Sequence, residues 1–84
     1  MHVGLMWFDN DPRTALAVKI QRASDYYKRK FGRLPDLCLV NPSMLGENQM
    51  ETVGERGKEI TVRPYRPVLP GHLWIGVEED NSER

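Results

Sequence analysis

Across residues 11–31 the apolar positions recur at helical spacing. Leu16, Ile20, Ala23, Tyr27 and Phe31 follow one another at intervals of four, three, four and four residues, and at about 100° per residue they stay on one narrow stripe. The ends agree with the stripe. Asp11 is a good N-cap, because its carboxylate can accept from the free N–H groups of a first turn; Asp9 or Asn10 would serve in its place. Pro12 then occupies the first helical position, where its locked φ helps and its missing N–H costs nothing. Gly32 falls where a left-handed cap belongs, Lys28, Arg29 and Lys30 put positive charge in the last turn, and Leu34-Pro35 forbids a return to helix. The pattern predicts one long helix over residues 11–31.

The remaining apolar positions come in short runs. Residues 2–8, HVGLMWF, are almost continuously apolar and stop at Asp9-Asn10-Asp11. Residues 36–40, DLCLV, form a second run of the same kind. Short apolar runs bounded by turn residues read as strands, and apolar residues on both faces point to central places in a sheet. Strand, helix, strand with short joins is a βαβ unit, with parallel strands and a right-handed crossover, the two strands adjacent or one apart. Asn41-Pro42-Ser43 turns the chain. Residues 44–58 carry three glycines and mixed charge and read as a loop with one helical turn near residues 47–52. Residues 59–63, EITVR, alternate as a half-exposed strand, RPYRPVLPG is made stiff and extended, partly polyproline II, by Pro64, Pro67 and Pro70, and residues 73–77, LWIGV, form the last strand. The fold class expected is therefore α/β: a single-layer sheet of three to four strands in β-α-β-β-β order, with one long helix packed on one face. The last two strands are free to pair as a hairpin on either edge.

Eighty-four residues make one domain, expected over residues 1–78, with an acidic frayed tail over 79–84. A chain of this size buries only about two-thirds of its unfolded surface. The formal net charge is zero, which argues against a generally basic nucleic-acid binder. The charge is uneven, however: from Arg13 to Arg33 seven Lys and Arg stand against one acid, Asp25, while Glu78, Glu79, Asp80 and Glu83 gather near the end. Cys38 is the one cysteine, so no disulfide within the chain and no cysteine zinc cluster is possible, and its apolar neighbours make it a buried thiol. The short N-terminal apolar stretch lacks a basic lead, so no signal peptide is expected. No run approaches the ~20 residues that span a bilayer. A cytoplasmic protein without a membrane partner is the expectation.

One long helix covers one face of such a sheet, which leaves the other without a cover. A second copy of the chain is the expected cover, with Trp7 and Trp74 as candidate interface anchors. Beside the apolar stripe of the helix, Lys19, Arg22, Tyr26 and Arg29 share a flank. They suggest either a solvated face with long stems over the core edge or phosphate contacts with an aromatic to stack on a base. Arg63 and Arg66 around Tyr65 are a further anion candidate on a rigid segment, against which stands a strand simply ended by proline.

Catalytic and metal candidates are few. Asp9 and Asp11, with Thr14, follow a buried strand at the end where α/β sheets place ligands, and two acids one residue apart can share a hard cation such as Mg²⁺. The plainer reading makes them helix caps. FDNDPRT resembles the strand-then-Asp-x-Asp-x-Thr opening of haloacid dehalogenase-type phosphotransferases. That resemblance covers only those residues, and the chain is too short for the fold, so the activity is not carried over. An apolar strand ending in Asp, then a helix, also resembles the layout of a family of small dimeric CRISPR-associated proteins, which the later strands do not follow. His72 is a general-base candidate by residue type but has no nucleophile in a recognised context. The sequence thus leads to a non-enzymatic binding or assembly module without a cofactor, homodimeric through the uncovered sheet face. Two alternatives stay open: a nucleic-acid binder using the helix flank, and a Mg-dependent phosphate-ester enzyme centred on Asp9 and Asp11.

Overall fold

In the computed structural model, which describes residues 4–46, 51–54 and 57–78, one helix lies on a five-stranded mixed sheet, an α/β fold. The elements are β1 (Gly4–Phe8), α1 (Leu16–Phe31), β2 (Leu37–Val40), a 3₁₀ turn (Pro42–Met44), β3 (Glu51–Val53), β4 (Ile60–Pro64) and β5 (His72–Gly76). Their order across the sheet is β1-β5-β2-β4-β3. The expected tail, residues 79–84, lies outside the described residues.

β1 and β2 run parallel but one strand apart, because β5 inserts between them and pairs antiparallel with both. β2 pairs parallel with β4, and β3 closes the far edge antiparallel to β4. The last two strands therefore do not form a hairpin. They flank β2, whose apolar residues on both sides suit an interior strand. The fifth strand, β3, stands in the stretch read as a loop; of the helical turn expected over 47–52, residues 47–50 lie outside the described residues and 51–52 are strand.

The helix follows the apolar stripe but begins later than the capping pattern predicts. Its N-cap is Ala15, with no side-chain cap. Asp11 caps the turn before it instead: its carboxylate accepts from Arg13 N–H at 2.9 Å and from the Thr14 hydroxyl at 2.9 Å. These bonds hold its carboxyl below the ordinary range, the Arg13 N–H contributing most. Gly32 ends the helix as expected, at φ 78° with its N–H on Lys28 O at 2.8 Å. Ile20, Ala23 and Tyr27 are fully buried against Cys38, Val40, Ile60, Val62, Leu73 and Ile75 from the facing side of the sheet. Each of the Ile, Val and Leu side chains among them contributes roughly 1.5–3 kcal/mol on removal from water. Phe31, at the end of the stripe, packs on Tyr27 with ring centroids 4.5 Å apart but is partly exposed.

Candidate functional site

Alternation along the strands sorts their side chains into two faces. Leu5 and Trp7 of β1, Leu73 and Ile75 of β5, Cys38 and Val40 of β2, and Ile60 and Val62 of β4 face the helix. Met6, Phe8, Trp74, Leu37, Leu39 and Arg63 therefore belong to the other face, which no helix covers among the described residues. The register sets Met6 opposite Trp74, and Trp74 opposite Leu39. Met6 is 55% exposed, Phe8 58% and Tyr65 49%. Together with Leu37, Pro67 and Val68, the residues Met6, Leu39, Tyr65 and Trp74 line a hollow of about 430 Å³.

One wall of this hollow is the segment after β4, read from its prolines as extended. It forms a turn: Tyr65 N–H reaches Val40 O at 2.7 Å, Val68 N–H returns to Tyr65 O at 3.1 Å, and the Asn41 side chain donates to Val68 O at 3.0 Å. The floor depends on Gly4. A Cβ there would lie 2.2 Å from the Trp74 ring and 2.8 Å from Ile75 O, so only glycine lets the indole lie against the β1 backbone. The rim carries charge: Arg63 makes a two-point pair with Glu78 at 3.1 and 3.4 Å, and Glu78 N–H rests on the Asp36 carboxylate at 2.8 Å. Phe8 lies against His72 at 4.7 Å between ring centres, and His72 Nδ1 is enclosed without a hydrogen-bond partner among the described residues.

The two tryptophans fall on opposite sides. Trp74 belongs to the open face. Trp7 packs toward the helix, 5.6 Å from the Tyr26 ring, so it is not placed to anchor a partner on the uncovered side. The basic flank is likewise divided. Lys19 is buried, with its ammonium donating to Asp9 O at 2.8 Å. Arg22 lies 3.7 Å from the Asp9 carboxylate. Arg29 and Arg66 are exposed, and Arg66 stands in the turn beside the hollow.

At the end of β1, the Asp9 carboxylate is held between Lys19, Arg22 and the Asp11 N–H, the last at 3.1 Å. With the Asp11 carboxylate on Arg13 N–H and Thr14, both acids are engaged by donors of the chain itself. Among the described residues no group of three or more His, Cys, Asp or Glu is placed to hold a metal ion. Cys38 is fully buried, and burial pushes its thiol up to about 12. None of the described helices is long and apolar enough to cross a membrane.

Sequence reasoning missed Met6, Leu39 and Val68 as site residues and took Tyr65 only as the centre of an anion candidate. Their shared signal was the phase of Trp74, which becomes readable only once the register across three strands is known. No protein-family model matches the chain, and neither a curated protein nor a solved structure matches it.

Proposed function

We propose that this chain is a small non-enzymatic binding and assembly module of the cytoplasm, and that it works as a homodimer through the sheet face that α1 leaves open. The observation that carries this reading is the hollow of about 430 Å³ on that face, walled by Met6, Leu39, Tyr65 and Trp74. An apolar surface rimmed by charge marks a contact site rather than a solvated face, and two-fold self-association is the commonest way such a face is covered. The rim suits a second copy: it holds both signs, Arg63 and Glu78, so two rims can meet without like charges facing. Trp74 is the anchor, an aromatic at the centre of the patch with polar groups around it.

The test is solution mass by sedimentation over a dilution series. Wild-type chain self-associates, and Trp74→Glu lowers its mass, while Arg29→Glu on the helix leaves it unchanged. A wild-type chain of monomer mass throughout, or an unchanged mass for Trp74→Glu, overturns the reading.

A further inference from the structure

β1 is an edge strand. It pairs with β5 on one side, and among the described residues no strand lies on its other side. Such edges are templates for a further strand, and natural sheets blunt them with charge, proline or bulges. β1 has none of these. It reads GLMWF, and its register with β5 runs unbroken from Gly4↔Gly76 to Phe8↔His72.

Which backbone groups are unpaired follows from the ladder. Asp9 N–H donates to Gly71 O at 2.9 Å, which continues the register by one pair. Antiparallel ladders alternate bonded and non-bonded pairs, so Trp7 and Leu5 also turn their N–H and C=O toward β5. The N–H and C=O groups of Gly4, Met6 and Phe8 then point outward, away from the sheet. His72, opposite Phe8, accordingly gives its N–H to Leu69 O at 3.0 Å instead.

We propose that this edge takes β1 of a second copy of the chain, antiparallel, about a two-fold axis at Met6. In that register Met6 meets Met6, and Gly4 of each copy meets Phe8 of the other. Every outward N–H and C=O of the strand finds a partner. Counting only the described residues of β1, Gly4–Phe8, sliding the strands by a residue pair in either direction leaves outward groups of both copies without a partner in the strand, so the centred register is the best satisfied. The side chains fit as well. The large Phe8 ring faces glycine, beside the Trp74 ring that already lies over Gly4, and aromatic rings across such a pair attract at their edges. On the helix side Leu5 meets Trp7. No charge is buried, because the strand carries none. The two sheets become one, with both helices on one side and both open faces on the other. This contact is independent of the face contact proposed above; with perpendicular axes the two together close a set of four copies.

Hydrogen exchange on the wild-type chain tests this directly. Met6 and Phe8 amides exchange at least about 100-fold more slowly than in an unstructured chain, like the amide of Trp7, which bonds to β5 in any state. Free exchange at Met6 and Phe8 beside a protected Trp7 overturns the proposal, and stacking of open faces alone gives that result. A cross-link then checks the register. The two Met6 Cα atoms would lie about 5.5 Å apart, within disulfide reach, so Met6→Cys oxidises to a covalent dimer. The two Phe8 Cα atoms would be more than ~10 Å apart along the strands, so Phe8→Cys does not; a dimer from Phe8→Cys as readily as from Met6→Cys overturns the register. Cys38 is buried and does not compete.

Discussion

Lys19 carries a charge that the fold uses internally. Its stem is buried on α1, and its ammonium donates to Asp9 O at 2.8 Å and lies 4.0 Å from the Asp9 carboxylate. Arg22 reaches the same carboxylate from 3.7 Å, but its side chain is 59% exposed. A hydrogen bond from a charged donor contributes roughly 1.5–3 kcal/mol net, whereas an exposed ion pair contributes about 0–1 kcal/mol. Lys19→Met is therefore expected to lower stability by about 1.5 kcal/mol or more, and Arg22→Ala by about 0.5 kcal/mol or less, read as urea midpoints. Equal losses would mean that the Lys19 bond to the β1 end does not matter. The sequence showed that Lys19, Arg22 and Tyr26 share a flank, and they do. It did not show what lies opposite. Helical spacing gives an angle around the axis, and only the sheet decides that this angle faces Asp9 and Trp7 at the end of β1.

Elements with a strong period were legible, and those defined by a distant partner were not. The body of α1 and its glycine stop follow from local spacing and charge. Its start was misplaced because Asp11 has two local uses, cap or turn, and the Arg13 N–H and Thr14 hydroxyl take it for the turn. β3, three residues of Glu-Thr-Val, has no periodicity of its own and exists by pairing with β4. β1 is apolar on both faces, so its phase was silent, and Trp7 could not be separated from Trp74. Gly4 is where β1 and β5 depend on one another most closely. Gly4→Ala puts a methyl group into the Trp74 ring and against Ile75 O, so the strand pair must shift or the indole must leave the surface. The expected cost is about 1–3 kcal/mol, seen as a lower melting temperature, with tryptophan emission moving to longer wavelength as the indole is released. A variant as stable as wild type would show that the indole moves aside freely.

At the scale of the molecule, Cys38 marks the centre. It lies on β2 between β5 and β4, under the helix, and is fully buried. Its thiol ionises near 9.0 in the open chain and only near 12 in the fold. The native state thus keeps a proton that the unfolded chain gives up. The associated stability is complete below about pH 9 and falls as pH rises toward 12. Urea midpoints are expected to drop over that window more steeply for the wild type than for Cys38→Ala, and thiol reagents at neutral pH should label Cys38 only as fast as the whole chain unfolds. Labelling faster than unfolding would reveal a local opening at the sheet centre. The burial of this thiol was legible from its LCLV run. The strand order was not, because it rests on contacts between the two ends of the described chain.

That order has a consequence in time. β5 is the last described strand to leave a ribosome, yet it is the one that joins β1 to β2, and its pairs span from Phe8↔His72 to Gly4↔Gly76. During synthesis the helix and the β2–β4 ladder can form early, while β1 waits, apolar and unmatched, until nearly all of the described chain has emerged. Such long-range closure is slow compared with helix formation. The nascent chain therefore passes through an interval in which GLMWF is its most adhesive segment, and its exposure ends only when the final strand slides into the gap left for it.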